Sequence, residues 1–184
     1  TGLEEGLRDN NRDAGGFPQW ARRNRFRDFG GGGPGWNSSR QRYWGIPLPI
    51  WQADGGEWIV IGTREELAER ADQAVDPDEI DLHRPSVDPL TITDDGKTYE
   101  RVPDVFDVWI DSSVATWGTL DYPSETDAYD DLWPADFIVE AHDQTRGWFW
   151  SQLGMSTAAT GQTPYEQVMM HGFVNDEDGR KMSK

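Results

Sequence analysis

The sequence contains no cysteine, and only three of its 17 basic residues are lysines: Lys97, Lys181 and Lys184. The absence of cysteine excludes disulfide bonds and thiolate zinc sites. No run approaches the roughly 20 apolar residues that a membrane-spanning helix needs. The polar first 16 residues also lack the apolar core of a signal peptide. We therefore expect a cytoplasmic protein and no metal centre.

Acidic residues outnumber basic ones by 34 to 17, which gives a net charge of -17. Many acids, few lysines and few large aliphatic residues are typical of proteins adapted to very high salt, where acidic self-repulsion is screened. The alternative is an ordinary acidic protein that avoids polyanions. Because adaptation to high salt would explain the acidic composition, the negative charge alone does not exclude RNA as a partner. Ten tryptophans argue against a disordered chain.

A length of 184 residues suits one domain with a smaller insertion. Residues 17–29, FPQWARRNRFRDF, predict a short amphipathic helix whose arginines either stack on the local aromatic side chains or contact RNA. The GGGGPG run at 30–35 predicts a flexible connector. The prolines of IPLPIW, at 46–51, exclude a helix there and favour an extended segment.

Residues 53–103 predict a small module with a β-α-β-β order. A strand is expected over 57–63, followed by a helix with Thr63 as N-cap and Glu66 at the capping-box position. The DDGK sequence then predicts the turn of a β-hairpin.

From residue 104 onward the pattern predicts a core-forming α/β unit. Asp111, Ser112 and Ser113 carry a helix-start signal after a strand. FIVE predicts a buried strand, AHDQT a turn, TRGWFWSQLGMSTAA a helix that ends at Gly161, and YEQVMMHGFV another strand. This βαβ order predicts a parallel, doubly wound sheet with ligands at the carboxyl ends of its strands.

Polar side chains follow both predicted strands at that edge. Glu140, Asp143 and Gln144 suit an ammonium group, ribose hydroxyls or an amide edge. The alternative is helix capping by Asp143 or Thr145, with Glu140 paired to Arg146. His171 and Gly172 follow the second strand, where a glycine allows a ligand close to the backbone, although a lone histidine is more often structural.

The final GRKMSK sequence carries three cations. Lysines act as point charges for phosphate, and negative charge builds up on pyrophosphate as it leaves ATP. Lys181 and Lys184 on a mobile loop would stabilise that transition state. Composition alone favours a frayed tail over this role.

Five blocks in order resemble the class I aminoacyl-tRNA synthetases, and among them the isoleucyl enzymes of archaeal and eukaryotic type. KMSK is similar to the Lys-Met-Ser-Lys-Ser signature of the family. The other blocks that carry the resemblance are NSSRQRYWGIPLPIW, DVFDVWIDSS, EAHDQTRGWFW and HGFVNDEDGRKMSK. DQTRGWF resembles the isoleucyl enzymes but not their valyl and leucyl relatives. The blocks are distributed in order along residues 17–184.

The resemblance implies activation of isoleucine by ATP with Mg²⁺ to isoleucyl-adenylate, followed by transfer to tRNA(Ile). It also implies a site in this chain. Glu140, Asp143 and Gln144 would contact the adenylate, Trp109 and Trp148 would line the isoleucine pocket, and His171 and Gly172 would lie near the adenine. Lys184, helped by Lys181, would bind the ATP phosphates. Core packing is the alternative role for the two tryptophans.

The resemblance divides the chain into four parts. Residues 1–35 correspond to a segment returning from the editing domain plus the connector, and 36–52 to a catalytic-domain block. Residues 53–103 are the inserted module, and 104–184 are the second half of a Rossmann-like catalytic domain. The expected fold is thus half of a doubly wound parallel nucleotide-binding sheet with a small α+β insertion.

The chain departs from the family pattern in several places. It lacks the His-Ile-Gly-His signature, the body of the editing domain and the anticodon-binding domain, and QADGGEW replaces a cysteine-rich knuckle. We therefore expect a piece of a larger, monomeric enzyme that has little or no activity alone. The alternatives are a non-catalytic RNA- or protein-binding module and, from the tryptophan content only, a carbohydrate-binding module.

Overall fold

The computed structural model describes residues 2–20 and 36–182. The chain divides into two compact units, one formed by residues 1–35 with 109–184 and the other by residues 36–108. The second unit contains residues 36–52 and residues 53–103, which the sequence predicts to be separate parts.

The first unit is built around a short parallel sheet. Its described elements, in chain order, are α1 Gly2–Asp13, β1 Gly15–Phe17, α3 Val108–Ser113, α4 Ala115–Gly118, α5 Asp127–Leu132, β8 Ala135–Ala141, α6 Trp148–Thr160 and β9 Tyr165–His171. The first residue of α3 belongs to the second unit. The elements of the second unit are β2 Ser39–Arg40, β3 Ile50–Gln52, β4 Trp58–Val60, α2 Arg64–Arg70, β5 Ile92–Asp94, β6 Lys97–Arg101 and β7 Val105–Phe106.

The strand order in the parallel sheet is β1-β9-β8. β8 and β9 run parallel, with Ala141 opposite His171, and α6 connects them. The predicted βαβ unit is confirmed, as is a mixed α/β fold. Since the last residues of β8 and β9 are paired, the polar residues that follow both strands start from the same edge of the sheet.

Helix α6 is held against one face of this sheet. Phe149 and Leu153 of the helix are fully buried in a cluster with Ile138 and Val168 of the strands. The helix ends where the sequence predicts, because Gly161 adopts a left-handed φ of 76° that favours glycine.

Helix α1 packs beside α6 on the same side of the sheet. Leu7 joins the cluster around Phe149, and the Asn10 side-chain amide donates to Thr157 Oγ1 at 2.9 Å. Strand β1, which follows α1, pairs parallel to β9 with Phe17 opposite Met169.

The opposite face of the parallel sheet is apolar and exposed within the described part of the chain. Phe17, Phe137, Val139 and Met169 are between 45% and 68% exposed. The register puts Phe17 and Val139 on either side of Met169, so these side chains form one continuous surface, which we call the open face.

The second unit contains a four-stranded antiparallel sheet in the order β4-β3-β6-β5. Its core holds Trp51, whose indole N–H donates to Leu90 O at 2.7 Å, together with Leu67 and Ile92. Helix α2 begins as predicted: Thr63 Oγ1 accepts from the Glu66 N–H at 3.1 Å. The Glu66 carboxylate in turn accepts from the Gly62 N–H at 2.7 Å.

The predicted hairpin is confirmed as β5 and β6, whose turn residues Asp95 and Gly96 both have positive φ. Other sequence predictions need correction. Helix α3 begins at Val108, so Asp111, Ser112 and Ser113 lie inside it rather than at its start. Phe17, the first residue of the predicted helix over 17–29, belongs to strand β1 instead. Residues 21–29, the glycine run at 30–35 and Lys184 lie outside the described residues.

Candidate functional site

The carboxyl edge of the parallel sheet carries the residues that the sequence analysis singles out. Glu140 is exposed near the end of β8, opposite Met170. His171 ends β9 and is exposed, and Gly172 follows it. The His171 carbonyl lies 3.4 Å from His142 Nδ1, in the turn after β8. Glu140, His171 and Gly172 are therefore brought to one edge.

The segment from His142 to Arg146 forms a 3₁₀ turn that leads into helix α6. Gln144 Oε1 accepts a hydrogen bond from the Trp148 backbone N–H at 2.8 Å, so Gln144 satisfies one of the free N–H groups at the start of the helix. Thr145 is buried, and its hydroxyl donates to the His142 carbonyl at 2.9 Å. Asp143, between them, is exposed.

The backbone at Gly147 passes very close to the side chain of Gln144. A Cβ on Gly147 would lie 2.5 Å from Gln144 Oε1 and 3.5 Å from Cη2 of Trp109. Any larger residue would displace the Gln144 side chain or block its bond to Trp148. The same distances bring the Trp109 ring to the start of helix α6.

The two predicted pocket tryptophans are joined through helix α3. Trp109 lies in that helix and is 38% exposed. The indole N–H of Trp148 donates to the carbonyl of Ser112 in the same helix at 2.8 Å. Trp148 is half-buried and packs against the core around Phe149. The ring of Trp148 is thus fixed in orientation at both its backbone and its indole nitrogen.

The segment from 174 to 182, which leads into the KMSK sequence, is a small hairpin. Asn175 and Lys181 are bridged, and the Met182 N–H donates to the Val174 carbonyl at 2.9 Å. The Asp176 carboxylate accepts from the Asp178 and Arg180 N–H groups at 3.1 and 2.7 Å. These two hydrogen bonds stabilise the backbone conformation of the turn at 176–180.

Lys181 makes an aromatic contact at the sheet edge that the sequence does not predict. Its ε-ammonium lies 3.5 Å from the centroid of the Phe173 ring, an attractive cation–π geometry. Phe173 also contacts His142, with 4.6 Å between the ring centroids. The only sequence signal is an aromatic residue directly after His-Gly at the strand end. Lys184 lies outside the described residues.

The buried tyrosine beneath helix α6 is structural. Tyr165 is fully buried, its hydroxyl donates to the Phe149 carbonyl at 2.9 Å, and burial raises its pKa well above the usual range. Over residues 2–20 and 36–182, no group of three or more histidine, aspartate or glutamate residues could hold a metal ion. No helix in that part of the chain is long and apolar enough to span a membrane.

These contacts connect four of the predicted site residues, Trp109, Gln144, Trp148 and Lys181, through their neighbours. Trp109 lies beside Gly147, Gln144 bonds to Trp148, and the turn between them leads back through His142 to Phe173 and Lys181. The arrangement offers flat aromatic surfaces, amide and carboxylate groups, and a cation at a single edge. Such a set can hold a ligand that combines an apolar side chain, an amine and a phosphate.

A sequence model of the family described as tRNA synthetases class I (I, L, M and V) matches residues 2–184. The isoleucine–tRNA ligase of Haloquadratum walsbyi is 75% identical over 194 residues, covering 100% of this chain and 18% of that protein. The corresponding protein of Haloarcula marismortui is 63% identical over 189 residues, covering 100% and 18%. That of Methanosarcina acetivorans is 53% identical over 170 residues, covering 91% and 16%.

Among solved structures, a LeuRS–tRNA–LeuAMS ternary complex from Agrobacterium radiobacter K84 is similar in fold. The TM-score is 0.54 at 22% sequence identity, and the match covers 81% of this chain and 21% of that one. The chain thus spans about a fifth of the length of the relatives it matches. From the family match and these identities, the chain belongs to the class I tRNA synthetases of the isoleucine, leucine, methionine and valine group, on the isoleucine–tRNA ligase branch.

Proposed function

We propose that this chain carries part of the site at which an isoleucine–tRNA ligase activates isoleucine with ATP before transfer to tRNA. The observation that carries the proposal is the continuous contact path from Trp109 to Lys181 along one edge of the parallel sheet. Ligands in open α/β sheets bind at this edge.

Each side chain would act through its own chemistry. The exposed Glu140 carboxylate would accept hydrogen bonds from the isoleucyl-adenylate, and Asp143 would do the same on its ribose or amino-acid side. Gln144 uses its carbonyl oxygen to cap helix α6, which leaves its amide NH₂ as a donor toward the ligand. The exposed positions of His171 and Gly172 suit contacts near the adenine.

Trp109 and Trp148 would form the walls of the isoleucine pocket. The bond from the Trp148 indole to Ser112 and the packing of Trp109 beside Gly147 hold both rings in place before a ligand arrives. Such preorganisation matters because a pocket distinguishes isoleucine from valine by one methylene. That difference is worth about 1–3 kcal/mol, and the isoleucine enzymes themselves are the standard example of this limit.

Lys181 and Lys184 would stabilise the charge that develops on the pyrophosphate leaving group. Lys181 stands on the 174–182 hairpin with its ammonium on Phe173. A preorganised cation at the site of developing charge lowers the barrier without reorganisation at the moment of reaction. ATP would enter with Mg²⁺, and tRNA(Ile) would accept the acyl group.

The open face supports the finer fold interpretation, in which the parallel sheet is half of a doubly wound, Rossmann-like sheet. Helices α1 and α6 cover one side, while Phe137, Val139 and Met169 are exposed on the other. A doubly wound sheet is covered by helices on both faces, and the relatives have more than five times the length of this chain in which to supply the second layer.

The proposal is tested by titrating the chain with a non-hydrolysable isoleucyl-adenylate analogue and following tryptophan fluorescence. We expect Glu140→Gln to weaken binding about tenfold or more, since a hydrogen bond to a charged group is worth about 1.5–3 kcal/mol. Asp136→Asn is the matched control. It removes an exposed carboxylate from the same strand at the opposite end and should leave the affinity unchanged. Equal losses in both variants would contradict the assignment.

A further inference from the structure

The ammonium of Lys181 is held by an uncharged ring and not by a carboxylate. It lies 3.5 Å from the centroid of the Phe173 ring, and over residues 2–20 and 36–182 no acidic side chain forms an ion pair with it. Lys97, the other described lysine, pairs instead with the Glu57 carboxylate at 2.5 Å. In a chain with 34 acidic residues, the environment of Lys181 is therefore an exception that needs a physical reason.

The hairpin at 174–182 brings the ring and the lysine together. Asn175 is bridged to Lys181, and the Met182 N–H donates to the Val174 carbonyl at 2.9 Å. Phe173 precedes Asn175 by two residues, which is the spacing at which long and aromatic side chains of paired segments meet diagonally. The contact between Phe173 and Lys181 is thus a consequence of the way this hairpin is paired.

The Phe173 ring is itself packed against the edge of the parallel sheet. It contacts the His142 ring at 4.6 Å between centroids, with the two planes tilted by 54°. The His142 ring also contacts Trp20, with 5.9 Å between the centroids, and its Nδ1 lies 3.4 Å from the His171 carbonyl. Since Gln144 belongs to the same turn as His142, the ring positions Lys181 relative to the proposed adenylate contacts.

A ring and a carboxylate would have different effects on this lysine. A carboxylate would cancel the charge of the ammonium and would occupy the N–H groups that a phosphate needs. An aromatic ring attracts the ammonium through its quadrupole and adds no negative charge. Lys181 is exposed, so N–H donors on the side away from the ring remain open to a ligand. The ring thereby orders the side chain without neutralising it.

We propose that Phe173 is a positioning residue, whose ring holds the Lys181 ammonium ready for the polyphosphate of ATP. The inference rests on the proposed function, in which Lys181 stabilises the pyrophosphate leaving group. Ordering a lysine side chain costs conformational entropy, and the ring contact offsets that cost before the ligand arrives. A contact shifts an equilibrium by no more than its own free energy, which for an exposed cation–π pair limits the effect to about two- to fivefold.

The first test is NMR of the 184-residue chain labelled only in its three lysines. Protons above the face of an aromatic ring resonate upfield, so the ε-methylene signal of Lys181 should lie upfield of the other two lysine signals. Lys181→Arg identifies that signal. Phe173→Leu should abolish the upfield shift, whereas Phe173→Tyr, which keeps a ring, should retain it. An unshifted signal in the parent chain, or a shift that persists in Phe173→Leu, would overturn the proposal.

The second test is a titration with inorganic pyrophosphate, followed by the same Lys181 signal. We expect Phe173→Leu to weaken pyrophosphate binding by about two- to fivefold, and Phe173→Tyr to bind like the parent chain. Phe137→Leu is the matched control, because it removes another exposed phenylalanine ring, 60% exposed, from strand β8 of the same unit. It should also bind like the parent chain.

Three results of this titration would contradict the positioning role. Unchanged affinity in Phe173→Leu would mean that the ring does not order the lysine for phosphate. Tighter binding in Phe173→Leu would mean that the ring holds the ammonium away from the ligand. An equal loss in Phe173→Leu and Phe173→Tyr would mean that the side chain matters for the packing of the hairpin and not through its ring.

These outcomes are separable from the failure of the proposed function. The isoleucyl-adenylate analogue carries no pyrophosphate, so Phe173→Leu should keep its affinity for the analogue, and Glu140→Gln should keep its affinity for pyrophosphate. Parent-like pyrophosphate binding by Phe173→Leu would refute the role of Phe173 alone. Loss of analogue binding by the parent chain would refute the adenylate site alone, and a Lys181 signal that pyrophosphate does not move would refute the roles of both Lys181 and Phe173.

Discussion

Asp88 shows how a single side chain stabilises the antiparallel unit. Its two carboxylate oxygens accept from Arg84 Nε and from Arg101 Nε and Nη2. The Arg101 side chain is only 1% exposed, while that of Asp88 is 28% exposed. Burial raises the pKa of Asp88, but the hydrogen bonds from Arg84 and Arg101 outweigh it, and the net pKa is lowered.

We expect Asp88→Asn to lower the free energy of unfolding by about 3 kcal/mol, because it leaves the buried Arg101 charge without a counter-ion. Because the folded-state pKa is depressed, the stabilisation is fully present above the unfolded pKa of about 4 and is lost as the pH falls through the lower folded-state pKa. Urea denaturation between pH 3 and 8 should show that the difference in unfolding free energy between the parent chain and Asp88→Asn becomes smaller at low pH. Asp94→Asn, which removes an exposed partner of Arg70, should cost less than about 1 kcal/mol.

The capping role of Gln144 and its proposed role in ligand binding can be separated by substitution. Gln144→Ala should destabilise the chain by about 1 kcal/mol, because the Trp148 N–H loses its acceptor, and should also weaken analogue binding. Gln144→Glu keeps an acceptor oxygen at the helix start, where negative charge is favourable, but loses the NH₂ donor. We expect thermal melts of Gln144→Glu to resemble the parent chain, while its analogue affinity falls. Unchanged analogue affinity would restrict Gln144 to a capping role.

At the scale of elements, the predictable parts of the fold were those with local signals. The capping box at Thr63 and Glu66, the Asp95-Gly96 turn and the glycine end of α6 each depend on residues a few positions apart. Local sequence therefore determined helix α2, the β5–β6 hairpin and the βαβ unit.

Elements stabilised from a distance were missed. Strand β1 is Gly15-Gly16-Phe17, which has low strand propensity, and it exists because it pairs with β9 about 150 residues later. The contact of Lys181 with Phe173 likewise depends on how the 174–182 hairpin folds back. The sequence identified residues of the candidate site, but not the turn and ring contacts that connect them.

The open face of the parallel sheet has a consequence in solution. Large exposed apolar surfaces promote association, so the chain should self-associate through Phe137, Val139 and Met169. The double variant Val139→Thr with Met169→Gln should shift sedimentation velocity toward monomer without lowering the melting temperature by more than a few degrees. The same pair of substitutions at the exposed Val60 and Met182 is the control, and an equal shift there would contradict the assignment to the open face.

At the scale of the whole molecule, the net charge should make stability depend on salt concentration. With 34 acidic and 17 basic residues, self-repulsion opposes the compact state at low salt, and screening becomes short-ranged at about 1 M, where the Debye length is about 3 Å. We expect the melting temperature to rise steadily with KCl from 0.1 M into the multimolar range. A melting temperature that stays constant or falls as KCl rises would contradict adaptation to high salt. The acidic composition would then be interpreted as a means of avoiding polyanions.

The proposed isoleucine pocket of this chain is tested most directly by calorimetric titration in multimolar salt with non-hydrolysable isoleucyl- and valyl-adenylate analogues. We expect the isoleucyl analogue to bind about tenfold or more tightly than the valyl analogue, which is the difference that one methylene makes in an apolar pocket. Equal affinities, or no binding to a chain whose circular dichroism shows it to be folded, would contradict the proposed pocket.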